Sequence, residues 1–293
     1  MKLFALRIAM RLFSWITPSA AEAIAPVLAA LLWYVSPRKR RVTRMNLRAV
    51  YPGFDENEIR RIGRDAMTHY VRGIFEAGML WHWPLDRIFG CFEEPAGQQA
   101  VLEAFQQGKG LILAAPHCGA WELLNLYLTR YRMATVLYKP GRHPEIDEAL
   151  LEKRRRCGAR MAPANAAGLR MMYKTLKGGQ AVGLLPDQEP TRGEGQFAPF
   201  FGIETLTGVL LPRMAQRTGA PVFFTVCERC QGGRYRVHFF RADDAIFDTD
   251  MRTALTAVNH GIEQCIGVDT GQYLWAYKRF RNRPDGEQSF YKR

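Results

Sequence analysis

Several signals that would settle a protein's class at once are missing from this chain. Only six cysteines occur in 293 residues (Cys91, Cys118, Cys157, Cys227, Cys230 and Cys265). They are scattered, which excludes the disulfide framework of a small secreted domain and fits reduced thiols in a cytosolic catalytic portion. Cys227-Glu-Arg-Cys230 has the CxxC spacing but no second CxxC and no strand-to-helix redox setting. It reads as two strand-end cysteines, with metal or redox use the minority alternative. The absence of H-E-x-x-H argues against a zincin, and the absence of G-x-S-x-G against an α/β-hydrolase. Without a Walker A or G-x-G-x-x-G motif, nucleotide use has no support. There is no internal repeat, low-complexity tract or clear linker. No zinc-finger, homeodomain or RNA-recognition signature is present, and the aromatics follow the apolar pattern rather than the basic clusters, so nucleic acid is not the expected partner.

Long uncharged apolar runs are also missing. Residues 3–35 are mostly apolar, but Arg7, Arg11 and Glu22 interrupt them, and Pro18 and Pro26 lie inside. The uncharged run from Ala23 to Pro37 falls short of the roughly 20 residues a clean bilayer span needs. No small-residue cleavage site marks a removed signal peptide. Two membrane-associated helices fit, one lying at the interface and one deeper; a single tilted span is the alternative. Trp15, Trp33 and Tyr34 suit the interfacial zone. The cluster Arg38-Lys-Arg-Arg41 suits cytoplasmic, anionic headgroups.

What the chain does have is a large apolar fraction, 47%, and an excess of positive charge, +13 from 41 Lys+Arg against 28 Asp+Glu. The first supports a sizeable core. The second calls for an anionic partner: nucleic acid, anionic lipid or an acidic protein. Residues 43–80 read as helical from apolar spacings of three and four. From about residue 100, helices at 98–107, 119–131, 144–157, 166–178, 205–218 and 250–267 alternate with strands at 110–115, 134–139, 181–186, 221–228, 234–241 and 272–278. A loop is expected to about residue 203. The expectation is an α/β fold, a mixed sheet flanked by helices, with the strands around Gln231-Gly-Gly233 antiparallel.

The strongest chemical statement lies in Leu111-Ile-Leu-Ala-Ala-Pro-His-Cys-Gly-Ala-Trp-Glu-Leu-Leu-Asn125. An apolar strand ends in a proline, His117 follows, and a helix starting at Gly119 would return Glu122 towards the imidazole. Ligands of open α/β sheets bind beyond the carboxyl ends of strands. Glu122 is expected to accept the Nδ1–H of His117, leaving Nε2 as a general base, and the helix start offers N–H groups for an oxyanion. A satisfied core histidine is the ordinary alternative, and a covalent route through Cys118 a further one. Lys153-Arg-Arg-Arg156 reads as an anion clamp or as a solvated helix end. Asp187, at the end of Leu184-Leu-Pro-Asp-Gln188, should open onto the same cleft edge. The loop from Gly193 to Gly202, with Phe197, Pro199, Phe200 and Phe201, either lines an apolar channel or is core.

These islands resemble, in order, the lipid A biosynthesis acyltransferases, the late lauroyl/myristoyl transferases of Gram-negative bacteria within the glycerolipid acyltransferase superfamily. The superfamily's His-x4-Asp/Glu signature corresponds to His117-Cys-Gly-Ala-Trp-Glu122. Asn46-Leu-Arg-Ala-Val-Tyr-Pro52, Arg154 to Arg156, Leu176-Lys-Gly-Gly-Gln180, Pro186-Asp-Gln188, Pro199-Phe-Phe-Gly202 with Thr207, and Trp275-Ala-Tyr-Lys-Arg-Phe-Arg-Asn-Arg-Pro284 match further family pieces. The resemblance implies a glycerolipid-acyltransferase-like domain over 43–293 behind a membrane-associated segment at 1–42. It implies acyl transfer from acyl carrier protein to a hydroxyl of an anionic lipid A precursor at the cytoplasmic face of the inner membrane, with no metal or cofactor. It makes His117 and Glu122 catalytic and places substrate contacts at Arg154, Asp187, Gly202, Thr207, Arg279 and Arg281, with Arg279 and Arg281 towards lipid phosphates. Ala159 to Ala167 is small and neutral where some members are more polar. That leaves another acceptor, such as an ornithine lipid or glycolipid, as an alternative, beside a thioesterase using the same His–Glu pair.

Overall fold

The computed structural model of the chain describes residues 2–131, 133–141, 144–191, 193–285 and 287–291. Two helices open it, α1 (Lys2–Phe13) and α2 (Pro18–Val35), followed by α3 (Pro37–Val50) and the long α4 (Glu56–His82). The sequence dictates these breaks. Thr17 caps α2 ahead of Pro18, and Pro37 starts α3. Asp55 and Glu58 form a reciprocal capping box that opens α4. The helical reading of 43–80 is thus two helices, divided at Tyr51-Pro-Gly53. On α2 the small residues Ala21, Ala25 and Ala29 lie one turn apart with Trp33 and are buried against Met67, Val71 and Phe75 of α4. The opposite face is open: Val27, Leu31, Tyr34 and Val35 are exposed, as are Phe4, Ile8, Leu12 and Trp15 before them.

A short helix α5 (Leu85–Phe89) and α6 (Gln98–Gln106) lead into the sheet. Its strands and helices follow as β1 (Leu111–Ala114), α7 (Trp121–Leu128), β2 (Met133–Tyr138), α8 (Pro144–Arg154), β3 (Arg160–Pro163), α9 (Ala166–Lys177), β4 (Ala181–Leu184), β5 (Gly195–Phe200), β6 (Ile203–Gly208), α10 (Leu210–Thr218), β7 (Val222–Arg229), β8 (Tyr235–Arg241) and α11 (Met251–Val268). The main sheet has the order β3-β2-β4-β1-β7-β8, parallel except for the β7–β8 hairpin. The expected mixed α/β sheet is therefore present. Its residues divide by parity: Leu111 and Leu113 face a core built with α4, α6 and α7, while Ile112 and Ala114 face a core built with α9, α10 and α11.

Three expectations change. The loop expected to about residue 203 is a separate hairpin, β5–β6, turning on Phe201 (φ 49°) and Gly202 (φ 74°), so α10 starts at Leu210 instead of 205. Two consecutive left-handed residues make the tight reversal that matches strand twist. The Phe201 N–H donates to Glu263 Oε1 at 2.5 Å, which holds an aromatic residue in a conformation it rarely adopts. A short strand, β3, lies where none was expected. Residues 272–278 form no strand. Their N–H groups reach back over a few residues, Trp275 to Tyr273 and Tyr277 to Leu274, in a winding segment across the end of the sheet.

Candidate active site

β1 and β4 are parallel neighbours, with Ala114 opposite Leu184. Three residues beyond each strand the chain carries His117 and Asp187, so the two side chains emerge at the same height on the carboxyl edge. His117 Nδ1 lies 2.8 Å from Asp187 Oδ1, and the backbone N–H of His117 donates to Asp187 Oδ2 at 3.0 Å. Asp187 thus grips both ring and backbone. Its side chain is 2% exposed and that of His117 is 19%, so the imidazole keeps one side towards solvent. Given this pairing, Nδ1 carries the proton and Nε2 has the free lone pair. Gln188 offers its amide Nε2 to that nitrogen at 3.2 Å. The Trp121 ring stands 5.6 Å from the imidazole centre.

Glu122 does not take the Nδ1 proton. α7 begins at Trp121 rather than Gly119, because Ala120 is still non-helical (φ −89°, ψ 60°). Glu122 in the first turn then faces α8, where Arg154 binds both its oxygens, Nε to Oε2 at 3.0 Å and Nη2 to Oε1 at 2.5 Å. Such a two-point ion pair is directional and strong. Arg154 and Glu122 are each about a quarter exposed, at the rim of the same site.

The electrostatics follow. Burial disfavours a charged His117, but Asp187, through charge and hydrogen bond, and then Glu122 outweigh it; Arg154 acts in the opposite sense. The imidazole ends above its ordinary value. Asp187 is pushed up by burial and pulled down further by His117 and then Arg279, and ends below the ordinary carboxylate value.

The loop bearing His117 is fixed by backbone bonds. Cys118 N–H donates to Pro116 O, Gly119 N–H to Gln272 O at 3.1 Å, Ala120 N–H to Cys227 O at 2.8 Å, and Leu274 N–H to His117 O at 3.0 Å. The N–H groups of Cys118, Gly119 and Ala120 are therefore committed, and any oxyanion donors from the helix start lie further along, in the first turn of α7, which has no side-chain cap. Gly119 has φ +62°, and a Cβ there would fall 2.0 Å from Cys227 O. Cys118 is 1% exposed and burial drives its thiol far above the usual range, which removes it as a thiolate nucleophile. Cys227 is buried and its thiol is raised well above the ordinary value; Cys230 is raised to about 11, first by burial and then by Glu228. Among the described residues no group of His, Cys, Asp and Glu is placed to hold a metal ion.

Three of the residues expected to touch substrate sit elsewhere. Arg279 is 2% exposed and points inward, donating to Leu206 O at 2.6 Å and Thr207 Oγ1 at 3.0 Å. Thr207 also bonds Asn259 of α11. Gly202 forms the hairpin turn. Arg279 and Thr207 therefore clamp the β5–β6 hairpin onto α11, and Arg279 reaches the site only through its field on Asp187. Arg279, expected to meet lipid phosphates, is thus turned into the interior instead of towards solvent. Arg281 remains outside, 59% exposed, and lies 3.9 Å from Glu189.

One supporting cluster carried no sequence signal. Arg229 at the end of β7 binds Glu76 of α4 through Nε at 2.7 Å and Nη2 at 2.9 Å, and Tyr235 donates to the same carboxylate at 3.1 Å. All three are buried beside Arg72. His69, adjacent, is depressed to about 2 by burial and then by Arg229 and Arg72, so it is neutral. Gln272 links this cluster to the loop. Its side chain accepts from Arg229 N–H at 2.9 Å and donates to Arg229 O at 3.1 Å, while its own carbonyl receives Gly119 N–H.

Comparison with known proteins agrees with the sequence resemblance. The chain is 27% identical over 258 residues, 87% of its length and 83% of the relative's, to a lipid A biosynthesis lauroyltransferase of Escherichia coli (strain K12). It is 28% identical, over 87% of its length and 82% of the relative's, to a lipid A biosynthesis palmitoleoyltransferase of the same strain. A phosphatidylinositol mannoside acyltransferase of Mycobacterium tuberculosis (strain CDC 1551 / Oshkosh) is 24% identical over 171 residues, 56% of this chain and 52% of the relative. The profile of the family described as bacterial lipid A biosynthesis acyltransferase matches residues 2–282, and by that nearly full-length match the chain belongs to this family.

Proposed function

We propose that the protein transfers a fatty acyl chain from acyl carrier protein to a hydroxyl of a lipid A precursor, a late secondary acylation at the cytoplasmic face of the inner membrane. The observation that carries this reading is the His117–Asp187 pair at the carboxyl edge of the sheet, in a chain of this family. In the proposed step, His117 Nε2 takes the proton of the acceptor hydroxyl as Gln188 gives way. The alkoxide oxygen attacks the thioester carbonyl, the tetrahedral adduct collapses, the C–S bond breaks, and the departing sulfur receives the proton back from the imidazolium. Asp187 fixes the tautomer and stabilises the imidazolium. Glu122, locked by Arg154, adds negative field without bonding the ring. The uncapped first turn of α7 suits the developing oxyanion. General-base catalysis of this kind is worth roughly 10²–10⁴-fold.

The membrane reading rests on the N-terminal helices. α2 is 18 residues long with mean hydropathy 1.4, long and apolar enough to cross a bilayer by length and composition. Its inner face is occupied by α4, however, and Glu22 accepts the Gly233 N–H at 2.9 Å, so α2 is tied to the catalytic body along its length. We propose that residues 1–42 form the membrane-associated segment and that α1 and α2 lie in the interface. Their outer apolar faces would enter the lipid while Arg7, Arg11, Arg38 and Arg41 meet headgroups. The mycobacterial relative supports a second reading of the acceptor as another glycolipid.

Transfer is tested with purified protein in micelles, an acyl-acyl carrier protein donor and a lipid A precursor, read by mass spectrometry. The expected result is one added acyl chain on the precursor, lost in His117→Ala. Equal release of free fatty acid with and without acceptor defeats the transferase reading in favour of hydrolysis.

A further inference from the structure

Away from the catalytic edge, Lys109, Arg170, Lys174, Lys177 and Arg217 surround a groove of about 760 Å³ between α9 and α10. All five are exposed, none has a carboxylate within ion-pairing distance among the described residues, and no acidic residue lines the groove. Elsewhere Arg44, Arg48, Arg155, Arg236 and Arg252 each hold an acid, whereas here five cations from three elements converge on one groove with none. Arg170, Lys174 and Lys177 lie on one face of α9 at spacings of four and three, an arrangement in which like charges destabilise the helix. α9 contains no Asp or Glu to offset them. Lys109 and Arg217 arrive from two other elements, so the placement of cations at a single helix end does not account for the cluster. Between them lies a half-buried floor of Leu169 and Tyr173, with the Arg217 guanidinium 5.0 Å over the Tyr173 ring.

We infer that this groove is the docking surface for the acidic protein that carries the acyl donor, an inference that rests on the carrier-protein reading above. A concave track of unpaired cations with a small apolar floor suits a negatively charged protein helix. A lipid surface fits less well. None of the large exposed hydrophobic residues lines the groove; most are on α1 and α2, whose free faces supply the apolar contact a bilayer needs. The distance is suitable for a partner that presents its cargo on a flexible arm. α9 runs about 18 Å from the catalytic edge of the sheet to the opposite edge. The eight-residue path from Lys109 to His117 cannot exceed about 28 Å.

The test is the triple variant Arg170→Glu/Lys174→Glu/Lys177→Glu, three exposed side chains outside the catalytic machinery, assayed in the full-length protein beside the wild type. The expected result at low salt is a rise of about tenfold or more in KM for acyl-acyl carrier protein. kcat at saturating donor, KM for the lipid acceptor and sedimentation with phosphatidylglycerol vesicles stay within about twofold, and the wild-type KM climbs with salt towards that of the variant. A wild type that uses the matching acyl-CoA as readily as the carrier protein removes the donor assignment and this proposal with it. A wild type that requires the carrier protein, with a variant of unchanged KM, overturns the docking surface alone. Loss of vesicle binding at unchanged KM also overturns it and assigns the cations to lipid.

Discussion

His117 Nδ1 and Asp187 Oδ1 stand 2.8 Å apart although 70 positions separate them in the chain. The contact exists because two adjacent parallel strands end in register and each carries its functional residue three positions further on. Asp187→Asn should therefore act on the base directly. Without the carboxylate the imidazole loses its main source of raised basicity, so its pKa falls. On the proposed mechanism the neutral imidazole is the active form, so activity should rise as pH climbs through that pKa. The wild-type rising limb should lie above 6.5, the ordinary imidazole value, and in Asp187→Asn it should move to lower pH. The plateau should fall by roughly 100-fold or more because the tautomer is no longer held. The pH profile of kcat/KM reads both effects.

Glu122 and Arg154 should behave as one unit. Removing either leaves the other charged at the rim of the site without its two-point partner. Glu122→Gln and Arg154→Met should each lower kcat/KM, and the double variant should lose much less than the product of the two losses, the signature of a coupled pair. Arg154→Lys should not restore activity, since an ammonium cannot reproduce the fork. Glu122→Gln should also shift the rising limb to lower pH, by less than Asp187→Asn does, because Glu122 acts on His117 through space alone.

Gly119→Ala should inactivate the enzyme without dismantling it. The added carbon would fall 2.0 Å from Cys227 O at a left-handed φ of +62°. The backbone conformation alone costs about 1–2 kcal/mol for a residue with a Cβ, and relief of the clash moves the loop that holds His117. A melting temperature a few degrees lower with activity near background is the expected outcome. Full activity would show that the Gly119–Cys227 contact does not set the position of the base.

Glu76→Ala should be severely destabilising, since it leaves Arg229, and beside it Arg72, buried without the shared carboxylate. Breaking a buried pair from one side typically costs about 3–5 kcal/mol. Denaturant unfolding in detergent measures the loss. A variant replacing Glu76 and Arg229 together with apolar residues should recover much of the stability.

The sequence made the main sheet and its proposed base legible because their signals are local. Leu111 to Ala114 is an apolar run that ends in Pro116, and His117 is the first polar residue after it. The partner of that base was less legible. Whether Glu122 or Asp187 reaches the imidazole turns on Ala120, whose non-helical backbone delays α7 by two residues, and no spacing rule carries that information. The β5–β6 hairpin shows no apolar alternation because the buried positions of β6 are Thr205 and Thr207. Their hydroxyls are satisfied by bonds to Ile203 O and Thr205 O, and Thr207 also by Asn259 and Arg279. Arg279 misled for a related reason. Long cationic side chains are almost never fully buried unless paired, and here the acceptors are a carbonyl and a hydroxyl rather than an acid near in sequence. The Glu76–Arg229 pair joins residues 153 positions apart and has no local pattern at all.

The shared register of β1 and β4 bears on synthesis as well as on catalysis. A ribosome-bound chain that has released residue 117 but not residue 187 holds an imidazole without its acid and lacks the strand beside it. Chemical competence therefore arrives late and in one step, when the middle of the sheet zips closed. A fragment ending before the fourth strand should therefore show no acyl-transfer activity, so unfinished copies stay silent until the sheet is complete.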